Sequence, residues 1–369
     1  MRHRGKVFLA VLTALVLYTA VQASRLLPRL SGGGLGAATG LLFAVMIGWQ
    51  FAYRARPALV ASAWFRALCW TGAVVSGAWA TFVLLSIPFD LGALALPLGA
   101  SPVRACALAA CAAALAALGL RGALSGPVLE RVTVALAGLP PALEGLKVVQ
   151  ISDLHIGPTI RAASVERVVR LAMAQAPDLI AVTGDMTDGT VESLAAEVAP
   201  LAGLKAPLGA YFVTGNHEYY WGAEEWLAKA RALGLTTLVN ESVTVARGGA
   251  VVRVGGVPDS SAGHFVASHA PDAAAAAAGD ADLKILLAHR PDACGDAERA
   301  GFDLQLSGHT HGGQFFPFSL VVRLVHLYAR GLHRHGRLWL YVSPGTGFWG
   351  PPHRFAVPSE VTLLTLTAA

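Results

Sequence analysis

Five short motifs in the second half of the sequence carry side chains that can bind metal ions. In chain order they are Asp153-Leu154-His155, Gly184-Asp185-Met186-Thr187-Asp188, Gly215-Asn216-His217-Glu218, His289, and Gly308-His309-Thr310-His311-Gly312-Gly313. Mixed carboxylate, amide and imidazole ligands suit borderline divalent ions such as Mn, Fe or Zn. The four cysteines have neither metal-ligand nor disulfide spacing. The motifs therefore predict a metal centre built from oxygen and nitrogen ligands.

Each motif taken alone has an ordinary structural explanation. A single histidine at a strand end is more often a hydrogen-bonded structural residue, and Asp185 could cap a helix that follows it. His309 and His311 could lie exposed in a turn. The complete set nevertheless favours metal binding, because all five motifs would otherwise have to occur together by chance.

The elements that must position these motifs are predicted from the apolar segments before them. Strands are expected at residues 146–151, 179–183, 210–213, 284–287 and 304–306, each ending close to a motif. Helices are expected at 164–175, near 191–201 and at 223–233. This alternation, followed by a strand-rich part, predicts an α/β domain with two sheets and helices outside. In such folds ligands bind at the carboxyl ends of strands, where all five motifs lie.

The ordered motifs resemble those of the calcineurin-like metallophosphoesterase superfamily, over about residues 128–369. Three segments are similar to its bacterial membrane-associated branch, namely Ile151-Ser152-Asp153-Leu154-His155, His309-Thr310-His311-Gly312-Gly313-Gln314 and the stretch from Gly345 to Arg354. Glu218 stands where many members carry Asp. The resemblance implies a four-layer α/β/β/α sandwich that holds two metal ions, divalent or of mixed valence.

The resemblance also implies a ligand set. One ion would be held by Asp153, His155 and His311, and the other by Asn216, His289 and His309. Asp185 would bridge the two ions, since one carboxylate can reach cations roughly 3.5–4 Å apart. Two such cations would make hydroxide available near neutral pH and neutralise the phosphoryl oxygens during in-line attack.

Four residues near these ligands have expected roles of their own. His217 would stabilise the transition state or protonate the leaving oxygen, a task for which an imidazole is suited. Asp188 would orient a metal ligand or His217. His353 and Arg354, in a loop rich in glycine and proline, are candidates for binding the substrate phosphate. A turn with solvated side chains explains that loop equally well.

A basic segment follows the last motif. Its charged and titratable residues are Arg323, Arg330, His333, Arg334, His335 and Arg337. They could meet anionic lipid headgroups, although a solvated protein face is the favoured interpretation. His326, in the same segment, is expected at the surface.

The first part of the chain differs sharply in composition. Residues 1–145 contain 11 Lys or Arg and 3 Asp or Glu, a balance of +8, whereas the remainder has a balance of −3. Only His3 precedes residue 145, and the other 11 histidines follow it. These contrasts exclude a single soluble globule, a disordered chain and a disulfide-stapled miniprotein.

Four apolar stretches in this first part approach the length that crosses a hydrocarbon core of ~30 Å. They lie at residues 7–23, 35–51, 67–87 and 105–120, and none contains an internal Asp, Glu, Lys or Arg. We therefore expect a transmembrane region of about four helices at 1–125, followed by a catalytic domain at 126–369. The absence of ionisable groups favours an anchor over a transporter.

The positively charged residues between the stretches predict the topology. With the N-terminus in the cytoplasm, eight Lys or Arg lie on the inner side and three on the outer side. This predicts a multi-pass protein of the cell membrane whose catalytic domain is cytoplasmic. The alanine-rich fourth stretch decides the side, because the domain would lie outside if that stretch did not cross. Val21-Gln22-Ala23 also resembles a signal-peptidase site.

Together these features predict a membrane-anchored phosphoesterase that hydrolyses a phosphodiester, phosphomonoester or pyrophosphate bond with a metal-activated hydroxide. The expected partners are membrane lipids and a phosphate-containing substrate, either a small molecule or a lipid. No nucleic-acid partner is expected, because the positive charge is dispersed between apolar runs. The alternative is a catalytically silent metal-binding scaffold or sensor at the membrane.

Overall fold

The computed structural model describes the backbone of residues 2–27, 29, 32–95 and 102–369. Its contacts divide the chain into two compact units, residues 1–120 and residues 121–369. The first unit is helical, and the second contains all the strands of the described chain. The assignment of 1–125 as anchor and 126–369 as catalytic domain stays a prediction.

Four long helices occupy the first part of the chain, namely α1 (Arg2–Leu26), α2 (Gly32–Ala55), α3 (Ala63–Ala95) and α4 (Pro102–Ser125). Within the part that the structure describes, three segments are long and apolar enough to cross a membrane: Gly32–Ala55, Ala63–Gly92 and Val103–Ser125. The last of these has the highest mean hydropathy, although the sequence made it the weakest candidate. The predicted span at 7–23 lies in α1, but the side chains of its residues up to 12 lie outside the described part.

Helix α3 is longer than the apolar stretch that predicted it. Pro88 lies inside α3 and does not end it, so Asp90 also belongs to the helix. The Asp90 carboxylate accepts hydrogen bonds from Tyr18 (2.9 Å), Gln22 (2.5 Å) and Arg25 (2.7 Å) of α1. Charged groups in apolar helices are stabilised by such pairing. Asp90 therefore connects α1 to α3.

Two six-stranded sheets form the second unit. The first sheet, in spatial order, contains β1 (Val128–Leu136), β12 (Glu360–Ala368), β2 (Leu146–Ile151), β3 (Leu179–Thr183), β4 (Ala210–Val213) and β5 (Thr236–Thr237). The second contains β10 (Gly331–His335), β11 (Leu338–Val342), β9 (Leu304–Ser307), β8 (Leu283–Ala288), β7 (Ala250–Val257) and β6 (Glu241–Arg247). Strands β2 to β5 are mutually parallel, as are β7, β8, β9 and β11.

Helices connect the strands and cover the sheets. They are α5 (Ala162–Met173), α6 (Val191–Val198), α7 (Asn216–Trp221), α8 (Ala223–Ala232), α9 (Ala273–Ala277), α10 (Cys294–Arg299) and α11 (Phe318–Val325). Parallel neighbours need such crossovers, because a short turn cannot return the chain to the start of the next strand.

The alternation of side chains along β8 shows how the layers pack. Ile285 and Leu287 belong to the core between the two sheets, where they meet residues of β2, β3 and β4. Leu286 points to the opposite face and packs with Ala276 of α9 and Ala297 of α10. The predicted α/β/β/α sandwich, with two sheets inside and helices outside, is therefore confirmed.

The two sheets meet at the carboxyl ends of their parallel strands. Gln150, in β2, donates hydrogen bonds to Thr183 Oγ1 of β3 and to the Ser307 carbonyl of β9, each at 2.9 Å. These bonds connect three strand ends from both sheets. The loops that follow the strands must therefore converge at this edge.

Candidate metal centre

All seven side chains predicted as metal ligands lie in segments that follow strand ends. Asp153 and His155 follow β2, Asp185 follows β3, Asn216 begins α7 after β4, His289 follows β8, and His309 and His311 follow β9. Six of the seven form two clusters whose ligand atoms lie within 4.8 Å of one another. The first cluster is Asp153, His155 and His311, and the second is Asp185, His289 and His309. A third group of the same kind, His155, Asp185 and His217, shares one residue with each of them.

The first cluster is tight and buried. His311 Nε2 lies 3.0 Å from His155 Nε2 and 3.4 Å from Asp153 Oδ1. The main-chain N–H of His309 donates to both oxygens of Asp153, at 3.0 and 3.1 Å. One carboxylate oxygen and two imidazole nitrogens therefore face a common point.

The second cluster adjoins the first through Asp185. Asp185 Oδ2 lies 3.2 Å from His289 Nε2, which lies 3.2 Å from His309 Nδ1. The same oxygen is 3.9 Å from His155 Nε2 of the first cluster. The other oxygen, Oδ1, accepts a hydrogen bond of 2.9 Å from the main-chain N–H of His217. Asp185 is therefore placed between the two groups of ligands.

Asn216 supplies independent evidence that the site fits a cation. Its side-chain carbonyl oxygen is buried and has no hydrogen-bond partner in the described part of the protein. A buried polar oxygen without a partner costs about 1–3 kcal/mol. A metal ion on this oxygen would remove that cost. The donor set of carboxylate, amide oxygen and imidazole also suits a borderline divalent ion.

The backbone is strained where the ligands lie. In the described chain nine residues other than glycine have positive φ, and five of them are candidate ligands: Asp153, His155, Asp185, His309 and His311. Each such conformation costs of order 1–3 kcal/mol and persists only when its surroundings hold it in place. The strained backbone therefore lowers the stability of the fold, and it orients these five side chains towards one point.

Two glycines allow the loops that carry the candidate ligands to approach each other closely. A Cβ atom on Gly308 would lie 2.1 Å from Asp153 Oδ2, and one on Gly215 would lie 2.2 Å from Asp185 Oδ1. Both distances are far below van der Waals contact. Any larger residue at either position would displace a candidate ligand.

The surroundings keep two of the imidazoles in the form that binds metal. Burial, together with the positive charge of His289, lowers the pKa of His309 to about 3. Burial, together with His155 and Arg354, also holds the pKa of His311 well below its ordinary value. A neutral imidazole has a lone pair for a cation, whereas a protonated one has none.

A third candidate ligand differs from these two. Burial lowers the pKa of His289, but the carboxylates of Asp185 and Asp153 outweigh burial and raise it to about 10. His289 must therefore release a proton to bind a cation.

Comparison with known proteins agrees with this geometry. The sequence profile of calcineurin-like phosphoesterases matches residues 146–313, which include all five motifs. An uncharacterized metallophosphoesterase of Aquifex aeolicus is 35% identical over 247 residues, which cover 64% of this chain and 91% of that one. The chain belongs to the calcineurin-like phosphoesterase family. The family implies divalent metal ions, and the clustered Asp and His residues fit them.

Two other relatives are longer than the matched region. A bovine transmembrane protein with a metallophosphoesterase domain is 37% identical over 269 residues, covering 69% of this chain and 60% of the relative. An uncharacterized metallophosphoesterase of Helicobacter pylori is 37% identical over 255 residues, covering 67% of this chain and 66% of the relative. The match thus spans about three fifths of the bovine protein's length.

His217 and Asp188 form a pair beside the candidate ligands. Asp188 Oδ1 lies 2.5 Å from His217 Nδ1 and 3.2 Å from His155 Nδ1. Because an ionised carboxylate only accepts hydrogen bonds, both Nδ1 atoms carry protons. Burial opposes the charge of Asp188, but the two imidazoles outweigh burial and hold its pKa below the usual range. One carboxylate thus orients both a candidate ligand and His217.

The Nε2 atom of His217 faces the candidate ligands, at 3.9 Å from Asp185 Oδ2. Burial alone would lower the pKa of His217, but the carboxylates of Asp188 and Asp185 raise it to about 9. An imidazole in this setting holds a proton near neutral pH. His217 can therefore act as a proton donor towards the site.

His353 and Arg354 lie inside the protein, not in a solvated turn. The His353 ring is buried and stacks on Phe315 with 4.3 Å between ring centroids. The Arg354 guanidinium is buried as well and donates to the carbonyls of Pro344 (2.8 Å), Gly347 (3.1 Å) and His311 (3.3 Å). These contacts support the ligand loop. Substrate contact by either residue stays a prediction.

His326 was expected at the surface but lies beside the centre. It is partly buried, and its ring centroid is 6.2 Å from that of His309. Two exposed aromatic side chains, Tyr220 and Trp349, have ring centroids 5.2 and 6.1 Å from that of His217. The mouth of the site is therefore partly apolar.

Glu218 has a structural role that sequence reasoning did not assign. Its buried carboxylate accepts four main-chain N–H groups, those of Asp185 (3.0 Å), Met186 (2.8 Å), Thr187 (3.3 Å) and Gly215 (2.7 Å). These groups belong to two different motifs. Glu218 therefore holds the Asp185 loop against the Asn216 loop. The capping pattern Gly-x-x-Glu is the signal that could have revealed part of this role.

We expect Glu218→Gln to destabilise the protein. The amide group has only one acceptor oxygen, so two of the four N–H groups would lose their partner, at about 1–3 kcal/mol each in the free energy of unfolding. Thermal unfolding measures this loss. Glu225→Gln, which makes the same change at an exposed position of α8, is the control and should unfold like the wild type. Identical unfolding of both variants would refute the role of Glu218.

Proposed function

We propose that the chain is a membrane-anchored phosphoesterase that uses two divalent metal ions to hydrolyse a phosphodiester, phosphomonoester or pyrophosphate bond. The observation that carries the proposal is the position of Asp185, which lies within reach of both ligand clusters. One carboxylate between two sets of ligands is the arrangement expected for a site with two cations. Family membership supports the same reaction class.

The seven ligands would divide between the two ions. Asp153, His155 and His311 would hold one, Asn216, His289 and His309 would hold the other, and Asp185 would contact both. Mn, Fe and Zn all suit this donor set. When bound, the ions would activate water as a nucleophile and neutralise the charge on the phosphoryl oxygens.

The protein's own residues would complete the reaction. Asp188 holds Nδ1 of His217 and so leaves Nε2 directed to the site. In that position His217 would give its Nε2 proton to the leaving oxygen as the ester bond breaks. Asp188 would keep the same ring oriented and stabilise its positive charge. Gly308 and Gly215 would keep the loops close enough for both ligand clusters to act on one phosphoryl group.

The membrane is the proposed location of the reaction. Three described helices are long and apolar enough to cross it, and the distribution of Arg and Lys favours a cytoplasmic catalytic domain. An anchor of this kind would keep the catalytic domain at the membrane, where a lipid-linked phosphate is accessible.

The alternative, a silent metal-binding scaffold or sensor, would tolerate the loss of reactive residues. The chain instead carries His217 and Asp188 in contact with each other beside a full set of ligands. A scaffold has no need of a proton donor in this position. This favours the enzymatic proposal.

A substrate comparison tests the proposal. The full chain, purified in detergent and loaded with Mn²⁺, should hydrolyse a phosphomonoester, a phosphodiester or a lipid pyrophosphate, and Asn216→Ala should lose that activity. Equal turnover by both proteins would refute a reaction at this centre. No turnover with two ions bound per chain would favour the scaffold. Protease digestion of sealed vesicles tests the orientation, because cleavage of the domain from the periplasmic face would overturn it.

A further inference from the structure

Helix α11 exposes an unusual amount of apolar surface. Of its eight residues only Ser319 and Val322 are buried. Leu324 and Val325 are 88% and 73% exposed, and Leu327, just after the helix, is 83% exposed. A helix on the surface of a soluble protein normally turns polar residues to water. The apolar surface of α11, which we define as Leu320, Val321, Leu324, Val325 and Leu327, therefore requires an apolar partner.

This surface lies next to the candidate metal centre. A Cβ atom on Gly313 would lie 2.4 Å from Ser319 Cα, so α11 packs directly on the turn that carries His311. His326 follows the helix, and its ring lies 6.2 Å from that of His309. Whatever covers the apolar surface is therefore brought to the edge of the ligand clusters.

The charges around the helix identify the chemistry of that partner. Residues 318–337, which include α11, contain four arginines and no Asp or Glu. Arg323, in α11 itself, is exposed, and Arg330 follows shortly after the helix. Apolar side chains flanked by arginines fit an anionic lipid surface, whose headgroups attract the cations while the acyl region accepts the leucines.

We propose that the apolar surface of α11 inserts into an anionic lipid bilayer, and that the centre acts on the phosphoester of a lipid lying in that bilayer. The substrate assignment rests on the proposed phosphoesterase function, whereas the insertion of α11 does not. The partly apolar mouth, with Trp349 55% exposed, is suited to the same substrate class. A lipid could then present its phosphate to the centre without leaving the membrane.

A depth measurement on the full chain tests the insertion. The protein is reconstituted in vesicles of phosphatidylcholine and phosphatidylglycerol, with the exposed Cys106 and Cys111 replaced by serine. A fluorescent label is attached to a cysteine introduced as Leu324→Cys. The matched control carries the label at Arg299→Cys, an exposed position at the end of α10. Because α10 precedes β9 and α11 follows it, the two labelled positions lie beyond opposite ends of that strand.

Nitroxide groups on the lipid acyl chains should quench the label at position 324 strongly and the label at position 299 little. Equal quenching at both positions would overturn the insertion. Protection of position 324 from both lipid nitroxide and aqueous iodide, with cross-linking between two chains, would show that a second copy covers the surface. That result would also overturn the proposal. None of these readings requires turnover.

Turnover of a lipid substrate compared with turnover of a soluble one tests whether the centre acts on a lipid in the bilayer. Leu324→Glu should lower the turnover of a lipid phosphoester in vesicles by about tenfold, since a buried leucine is worth roughly that factor or more. Turnover of a soluble nitrophenyl phosphoester by the same variant should stay at the wild-type level. An equal loss on both substrates would overturn the membrane role of α11. Absence of wild-type turnover on both would instead refute the phosphoesterase function.

Discussion

Replacing Asp185 by Asn should remove metal and activity together. The substitution keeps the shape of the side chain and one oxygen but removes the negative charge between His289 and His155. Loss of a residue that hydrogen-bonds to a metal ligand typically lowers metal affinity or activity by about 10–100-fold. Loss of a bridging ligand itself should therefore lower both by more than about 100-fold. Metal content by mass spectrometry and turnover of a soluble phosphoester measure both effects.

Asp272→Asn is the matched control for this change. Asp272 caps α9 by accepting a hydrogen bond from the Ala275 N–H at 3.0 Å, and it is exposed. Asparagine caps helices as well as aspartate does. The control should therefore keep wild-type metal content and turnover. Two ions per chain and unchanged turnover in Asp185→Asn would contradict the bridging role.

Removing the imidazole of His217 should slow the reaction in a way that depends on the leaving group. If His217 Nε2 protonates the leaving oxygen, His217→Ala should cost about 10²–10⁴-fold with an alkyl phosphoester, which departs as a basic alkoxide. The cost should be much smaller with a 4-nitrophenyl ester, since nitrophenolate leaves without a proton. Metal content should stay close to that of the wild type, because His217 is not among the seven ligands of the proposed site.

Two further variants complete the His217 experiment. Asp188→Asn keeps the imidazole of His217 but weakens the hydrogen bond that orients it through Nδ1. We therefore expect a smaller loss of turnover, about 10–100-fold, with the same preference for good leaving groups. His264→Ala removes an exposed imidazole and should change nothing. Equal losses on both esters would contradict proton donation by His217. Loss of an ion from His217→Ala would instead make His217 a ligand.

The sandwich and the positions of its motifs could be predicted because local signals agree. Apolar runs such as β3 stop at a glycine, and a polar residue follows directly at Asp185. Those signals act within a few residues of the chain, where sequence patterns are informative. The predicted first helix of the domain was slightly misplaced. Helix α5 begins at Ala162, whose N–H donates to Glu197 at 2.7 Å, a partner 35 residues away.

Two elements near the site escaped prediction because their environment is not local. Helix α11 carries apolar residues on its exposed face as well as on its buried face, and Arg323 is its one charged residue, so it lacks the polar stripe that reveals an ordinary surface helix. No element was predicted in the basic segment around Arg334, where Gly331–His335 forms β10. That strand exists because it pairs antiparallel with β11. Pairing partners of this kind are set by the whole sheet.

The sequence by itself determined which residues could bind metal, their order along the chain and their places at strand ends. Only the tertiary structure decided that Asp185 lies between two ligand clusters and that Asp188 serves both His155 and His217. Those contacts join strands of two sheets, and His155 meets His311 across 156 positions of sequence. The register of the sheets sets such distances, and no local pattern in the chain encodes them.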